Sequence, residues 1–264
     1  MSTIADFESP PINEVICGLS FQRMERFTAP FVGLLWQDFK AQYPNCEVHP
    51  PLTQVSEQAT AMQLELGPIP SFPRIWLVSE DGTRLIQVQQ DLIIHNWRQV
   101  ESSTVYPRYE TVKEGFDEAL SKFQGFIATH DLGDIEPKQY ELSYVNLVPE
   151  GQGYEGLETI GDLLPDFAWR RNVSRFLPNP SSINFQTVLE LPDGNGKIRV
   201  SIQDAVRKSD AKRLIRILLV ARGMPQSKNV STKEEWFELA HEWVVKAFMD
   251  LTSEEVQAKH WRKR

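Results

Sequence analysis

The chain has 264 residues, of which 41% are hydrophobic and 24% charged, and its formal net charge is -8. This composition is ordinary for a soluble globular protein, and a chain of this length buries a sizeable core without disulfides. No apolar run approaches the roughly 20 residues that cross a bilayer. The N-terminus is polar and the cysteines, Cys17 and Cys46, are far apart, so we expect a soluble cytoplasmic protein with no membrane partner.

Charge is spread unevenly along the chain. Residues 1–135 carry 9 Lys and Arg against 18 Asp and Glu, whereas residues 136–264 carry 19 against 18. Nucleic-acid binding through the whole surface is therefore not favoured. A local basic patch in the second half stays open as an alternative, and so does ordinary solvated charge at a strand edge. The candidate basic residues are Arg170, Arg171, Arg175, Arg207, Lys208, Lys212 and Arg213.

Alternating and helical spacings of apolar residues predict strands and helices in the first half. The helix at 109–129 has a clear apolar stripe at i, i+3 and i+4 spacing. Asp81-Gly82 indicates a tight hairpin, and His49-Pro50-Pro51 indicates a loop. The predicted strands are 13–23, 61–66, 74–79, 85–89 and 92–98, and the predicted helices are 31–39 and 109–129.

The second half repeats this order of elements. Its last helix begins near Ser231 or Thr232, with Glu234 and Glu235 at the spacing of a capping box. The basic end of the chain, residues 259–264, is expected to be a frayed, solvated terminus. The predicted strands are 140–148, 183–191, 197–205 and 214–222, and a helix is predicted after Thr232. Residues 157–169 are predicted to be helical or loosely helical.

The two halves therefore predict a duplicated unit, with one βαβββα repeat in residues 1–135 and a second in residues 136–264. Strands joined by short turns pair antiparallel, and amphipathic helices cover a sheet face. We expect an α+β fold in which the repeats form one pseudo-symmetric body, a long antiparallel sheet with helices packed on one face. Few residues are identical between the halves, so chance agreement of two similar patterns is the alternative.

Catalytic signatures are absent from the sequence. It contains no GxSxG, GxxxxGK[ST], HExxH or GxGxxG motif, which are the patterns that place nucleophiles, phosphates, zinc or dinucleotides. The five histidines are scattered, and none has a second histidine at metal-ligand spacing. We therefore predict no catalytic residue, no metal site and no cofactor, and a protein that is not an enzyme.

A cluster of aromatic and basic residues is the leading candidate for a binding site. Asn96, Trp97 and Arg98 end a predicted strand, and Tyr106, Arg108 and Tyr109 follow after a short loop. Trp, Tyr and Arg are enriched at recognition surfaces. The alternative is structural: Trp97 caps the core, Arg98 pairs with Glu101 or Glu110, and Tyr109 begins the helix stripe.

The motifs Asn96-Trp97-Arg98 and Tyr106-Pro107-Arg108-Tyr109-Glu110, with others along nearly the whole chain, resemble a sporadically distributed family of prokaryotic proteins of about this length. No activity is established for that family, so the resemblance carries over no catalytic residue. Its patchy distribution is typical of defence, immunity or toxin–antitoxin genes, which is an association and not a mechanism.

Three functions are consistent with these patterns. The first is a non-enzymatic binding protein, with a protein partner or a second copy of the chain, in an immunity, antitoxin-like or phage-defence accessory role. The second is a small-ligand-binding protein or enzyme that uses a cavity between the sheet and its long helices. The third is a nucleic-acid binder that uses Arg170, Arg171 and the other basic residues of the second half.

Overall fold

A computed structural model of the chain describes residues 7–52, 72–168, 176–208 and 210–263. Within these ranges the chain has nine strands and five helices. The strands are β1 (Ile12–Phe21), β2 (Asn45–His49), β3 (Arg74–Val78), β4 (Arg84–Gln89), β5 (Leu92–Arg98), β6 (Pro137–Pro149), β7 (Asn184–Glu190), β8 (Lys197–Val206) and β9 (Arg213–Gly223). The helices are α1 (Ala29–Phe39), α2 (Tyr109–Thr129), α3 (Ile160–Leu163), α4 (Lys233–Leu251) and α5 (Glu254–Lys259).

The strands form a nine-stranded antiparallel sheet in the order β2-β3-β4-β5-β1-β6-β9-β8-β7. The predicted α+β class with an antiparallel sheet is confirmed. The chain divides into two compact units. The N-terminal unit is Glu14–Leu142 with Arg222–Met224, and the C-terminal unit is Ser143–Ala221 and Pro225–Arg264 with the described part of Met1–Asn13.

The core of the N-terminal unit lies between its strands and α2. The rings of Phe21 and Phe27 pack on Phe123 of α2, with centroids 5.9 and 5.8 Å apart. The stripe predicted for residues 109–129 is confirmed, because its apolar members are buried at helical spacing. The buried residues of α2 are Tyr109, Val112, Phe116, Ala119, Leu120, Phe123, Phe126 and Ile127.

The strand β2 was not predicted, because its sequence was assigned to a loop. Its residues are mostly exposed and show no apolar alternation. They form a strand because they pair with β3, where Cys46 lies opposite Leu77 and Glu47 opposite Trp76. Such pairing depends on a distant segment, and local pattern does not reveal it. The predicted strand at 61–66 lies outside the described residues.

In the C-terminal unit, α4 begins with a capping box. The Thr232 hydroxyl accepts a hydrogen bond from the Glu235 amide, and the Glu235 carboxylate accepts one from the Thr232 amide, at 3.2 and 3.0 Å. The predicted helix start is therefore confirmed. The indole of Trp236 then donates to the Asn195 carbonyl at 2.9 Å, which ties the first turn of α4 to the turn before β8.

Two predictions in this unit concern its less regular segments. The segment predicted to be helical or loosely helical, 157–169, is in its described part a 3-10 turn, the single-turn helix α3 and a second 3-10 turn, because Pro165 cannot continue an α-helix. The expectation of a frayed, solvated end was wrong at Trp261. Trp261 is 1% exposed, and its ring lies 6.2 Å from Phe7 and 5.0 Å from Phe248, so this residue belongs to the core.

Candidate binding site on the sheet of the N-terminal unit

The alternation of side chains along a strand gives the N-terminal sheet two different faces. One face contacts α2: the ring Nδ1 of His95 lies 3.1 Å from the Val112 carbonyl. The neighbouring residue Asn96 therefore points to the opposite face. We call this opposite face, which carries Glu14, Arg74, Trp76, Gln87 and Asn96, the polar face.

A chain of side-chain hydrogen bonds crosses the polar face over four strands. Arg74 donates from Nη1 to Gln87 Oε1 at 2.9 Å, and Gln87 donates from Nε2 to Asn96 Oδ1 at 2.8 Å. Asn96 then donates from Nδ2 to Glu14 Oε1 at 2.7 Å. Each amide accepts on one side and donates on the other, so the chain runs in one direction from the guanidinium to the carboxylate. Its direction fixes the orientation of both amides.

The two amides are buried although they lie on the polar face. Gln87 is 6% exposed and Asn96 is 1% exposed. Burial of polar groups is favourable only when their hydrogen bonds are satisfied. The network therefore holds four strands in one arrangement and also preorganises the surrounding surface.

Trp76 lies beside the network and is surrounded by basic and aromatic groups. The His49 ring stacks on the indole with centroids 3.9 Å apart and an interplanar angle of 27°. The guanidinium carbons of Arg74 and Arg98 lie 5.3 and 5.7 Å from the indole centroid, within the range of cation–π attraction. Arg98 also donates to the Gly82 carbonyl at 2.9 Å. These contacts fix the indole from three strands.

A cleft of about 390 Å³ opens on the polar face. Its apolar lining includes Ile16 and Ile94, and Gly18 lies in the same strand as Ile16. At the side of the cleft formed by β6 and β9, Arg222 donates to Glu141 at 2.7 Å. The charged and polar residues of the lining are Glu14, Ser20, Arg74, Trp76, Gln87, Asn96, Gln139, Glu141 and Arg222.

Two N–H donors at this cleft are buried without a hydrogen-bond partner in the described part of the chain. They are Nε of Arg74 and Nε1 of Trp76. Burial also lowers the pKa of the Arg74 guanidinium, because it removes hydration from the charged form. Both unpartnered groups are donors, so each of them requires an acceptor. A ligand that brings an acceptor oxygen, and most of all a negatively charged one, complements it.

The polar face also binds a segment of backbone. The side chain of Gln89 accepts from the Leu52 amide at 2.6 Å and donates to the Leu52 carbonyl at 3.2 Å. One side-chain amide thus satisfies both polar groups of a residue that lines the cleft. A side-chain amide on this face therefore already holds one segment of main chain.

The structure separates the residues predicted as one site. Asn96 lines the cleft and Arg98 packs on Trp76, on the polar face. Trp97 is 3% exposed and Tyr109 is 4% exposed, and the Trp97 ring contacts Tyr106 with centroids 5.2 Å apart. Adjacent residues of a strand point to opposite faces, so the sequence cluster does not form one surface.

The remaining predicted residues are placed as follows. Arg108 is partly exposed and has a φ of 79° immediately before α2. The expected pairing of Arg98 with Glu101 or Glu110 is replaced by its bond to the Gly82 carbonyl. Arg170 and Arg171 lie outside the described residues.

Sequence reasoning missed Arg74, Trp76, Gln87 and Glu14. A partial signal was present in β4, where Gln87 and Gln89 alternate with Val88. Arg74 and Trp76 share one face of β3, as do Gln87 and Gln89 on β4. Alternation in β4 predicts a polar face, but strand order is needed to bring these residues together.

No protein-family model matches the chain, and no curated protein matches it either. In the ranges that the structure describes, no three His, Cys, Asp or Glu side chains are grouped so as to hold a metal ion. Helices long and apolar enough to cross a bilayer are also absent from those ranges. The geometry of the cleft is therefore the basis for assigning a function.

Proposed function

We propose that the chain is a non-enzymatic binding protein and that the cleft on the polar face captures a carboxylate group of a protein partner. The observation that carries this proposal is the pair of buried donors, Arg74 Nε and Trp76 Nε1, which have no partner among the described residues. A carboxylate has two acceptor oxygens and the charge opposite to a guanidinium. It therefore complements these two donors.

Of the two acidic groups of the cleft, Glu141 is paired with a cation, because it accepts from Arg222. Glu14 accepts from the neutral amide of Asn96, at the opposite end of the network from Arg74. Arg74 likewise hydrogen-bonds to a neutral amide, that of Gln87. An incoming carboxylate would bring a negative charge to this guanidinium.

We favour a protein, and not a small organic acid, as the source of the carboxylate. The contact of Gln89 with the Leu52 backbone supports this choice, since the polar face already recognises a main chain. An immunity, antitoxin-like or phage-defence accessory role in the cytoplasm is part of the proposal. A second copy of the chain is another source of the same carboxylate chemistry.

Affinity capture from native cells tests the proposal. Wild type is compared with Trp76→Phe, which removes one donor and keeps an aromatic ring, and with Arg74→Lys, which keeps the charge and removes Nε. We expect both variants to bind the partner about tenfold more weakly, as loss of one or two hydrogen bonds predicts. The matched control is Trp36→Phe, since the Trp36 indole bonds to Tyr43 elsewhere in the same unit.

Retention of the partner at full affinity by Trp76→Phe and Arg74→Lys would overturn the proposal. If the chain captures only itself, sedimentation of the same variants shows whether the cleft forms a homo-oligomer contact. If no macromolecule is retained, a protein is excluded as the source of the carboxylate. Titration with small organic acids then tests the remaining source.

The basic residues of the second half give less support to a nucleic-acid site. Arg207 donates to both carboxylate oxygens of Asp210, at 2.9 and 2.7 Å, so this guanidinium is already neutralised. Salt-dependent binding of DNA or RNA at low ionic strength, reduced by Arg207→Gln, would favour the nucleic-acid alternative.

We also propose that the chain arose by duplication of a βαβββα unit. The support is the similar order of elements, which is β1, α1, three strands, β5 and α2 in the first half and β6, α3, β7, β8, β9 and α4 in the second. The first half has one additional strand, β2. Independent expression of residues 1–135 and 136–264 tests whether each repeat folds alone, which duplication of a self-sufficient unit predicts.

A further inference from the structure

A second cleft lies within the C-terminal unit, between the strands β7 and β8 and the helix α4. Its volume is about 630 Å³, which falls in the range of roughly 300–1,000 Å³ for sites that hold small molecules. A cavity between strands and a long helix is the kind of site that the small-ligand alternative requires. Ile198 and Val200 of β8, both fully buried, form its floor.

The walls of this cleft follow from strand and helix periodicity. On β7, Phe185, Thr187 and Leu189 alternate toward the cleft. On α4, Trp243 and Ala247 are four residues apart and share one face. Small Ala247 leaves room between the larger side chains, and Leu189 is 48% exposed, so apolar surface stays accessible.

Aromatic rings line the cleft. Phe167 and Phe185 meet edge to face, with centroids 4.9 Å apart and an interplanar angle of 76°. Trp243 also lines the cleft. Rings of this kind attract organic cations through their negative faces.

The described residues at the rim of the cleft have a net negative charge. It carries Asp166, Glu242, Asp250 and Lys246. Lys246 forms an ion pair with Glu242. Asp166 and Asp250 have no ion pair in the part of the chain that the structure describes. Two carboxylates are therefore available to a cation whose apolar portion lies on the floor.

We propose that this cleft binds a small amphipathic organic cation, such as an alkyl or aryl ammonium compound. The apolar body lies against Ile198, Val200 and Ala247. The ammonium group lies near the aromatic rings and near Asp166 or Asp250. Burial of an ammonium group is favourable only where charge or π-faces compensate its lost hydration. This site lies in the other unit from the carboxylate cleft and prefers the opposite charge.

Titration calorimetry with the full chain tests the proposal with two probes that share one tail. The probes are decyltrimethylammonium and decyl sulfate, both below their micellar concentrations. We expect one decyltrimethylammonium to bind per chain, about tenfold more tightly than decyl sulfate. Equal affinity for the two head groups, or no saturable binding of the cation, would overturn the proposal.

Variants test whether the cation binds in this cleft. Ala247→Trp fills the cavity, and we expect it to weaken binding of the cation at least about tenfold. Asp250→Lys places a cation at the exposed rim, so it should weaken decyltrimethylammonium binding about fivefold and strengthen decyl sulfate binding. Glu238→Gln, on an exposed position of α4 outside the cleft, is the matched control and should change neither affinity.

Thermal unfolding of each variant without ligand separates loss of binding from loss of fold. If Ala247→Trp does not fold, the charge variant Asp250→Lys still decides the outcome, because its position is exposed. Unchanged affinities in a folded Asp250→Lys variant would contradict the assignment. Trp76→Phe in the other unit should leave decyltrimethylammonium binding intact, so failure of one site does not imply failure of the other.

Discussion

Gln87 and Asn96 are joined by a buried amide–amide hydrogen bond of 2.8 Å between adjacent strands of the N-terminal unit. They are not directly opposite each other, because Gln87 pairs with Ile94 and Asn96 with Leu85 in the register of β4 and β5. The bond is therefore diagonal. It places both amides between Arg74 and Glu14, so this contact joins the two ends of the network.

Replacement of Asn96 by Ala should destabilise the protein by about 2–3 kcal/mol, because it removes the acceptor of the buried Gln87 amide and one donor to the Glu14 carboxylate. Replacement of both Gln87 and Asn96 by Leu should cost less than the sum of the two single changes to Leu. Urea unfolding measures both. Gln203→Ala removes an exposed amide pair with Asn184 and should cost less than about 0.5 kcal/mol. A similar loss at both sites would show that the buried network has no special role.

Gly115 and Gly125, both inside α2, should respond in opposite directions to alanine. A Cβ at Gly115 would lie 2.5 Å from Cε1 of His95, whereas one at Gly125 meets nothing within 4 Å. His95 is buried and bonded to Val112, so it has little room to move. We expect Gly115→Ala to destabilise by about 1–3 kcal/mol and Gly125→Ala to stabilise by about 0.5–1 kcal/mol. Chemical denaturation of the two variants is the measurement, and stabilisation by both would refute the described packing of α2 on β5.

Stability should fall in acid because of His95. Burial lowers the pKa of His95 from 6.5 to about 4, although its bond to the Val112 carbonyl acts in the opposite direction. Between these two pKa values the unfolded chain binds a proton that the folded chain does not. Stability from neutral His95 is therefore complete above the unfolded pKa and is lost as the pH falls toward about 4.

Urea unfolding at pH 7 and pH 4.5 should show a loss attributable to His95 on the order of 2–3 kcal/mol. Other groups also titrate in this window, so the comparison is with His95→Asn, which retains a donor and cannot be protonated. The variant should show a correspondingly smaller difference between the two pH values. Equal differences for wild type and variant would mean that His95 does not titrate in this way.

Thr232→Ala should destabilise the C-terminal unit by about 1 kcal/mol, since it removes the acceptor that satisfies the Glu235 amide at the start of α4. Thr232→Ser retains that acceptor and should restore most of the stability. The midpoint of thermal unfolding reports the effect. If Ala and Ser at this position are equally stable, the capping box contributes nothing measurable.

The sequence was most informative where local interactions determine structure. The limits of α2 and the cap of α4 were predicted because apolar spacing and capping act within a few residues. The strand β2 was missed because its partner, β3, is distant in the chain. Trp261 was assigned to a solvated terminus for the same reason, since its neighbours include Phe7 at the other end of the chain.

The candidate site was only partly predictable. Asn96 and Arg98 were selected as polar residues at a strand end, and both contribute to the polar face. Trp97 was selected with them because it is adjacent in sequence, but alternation sends it to the opposite face. Arg74 and Trp76 join the site through the pairing of β3 with β4, which no pattern within β3 alone specifies.

The central claim, that the polar-face cleft takes a carboxylate, is tested most directly at the Trp76 indole N–H. Its NMR signal in ¹⁵N-labelled protein is identified by its loss in Trp76→Phe. The probes are the acidic peptide Ac-Ala-Glu-Ala-NH2 with its Gln counterpart, and benzoate with benzyl alcohol. We expect a carboxylate probe to cause a saturable change in the chemical shift of the indole signal. Its uncharged counterpart should cause a much smaller change. A chemical-shift change with benzoate alone would identify a small acid as the source of the carboxylate. No change with either carboxylate, or equal changes with charged and uncharged probes, would contradict the account.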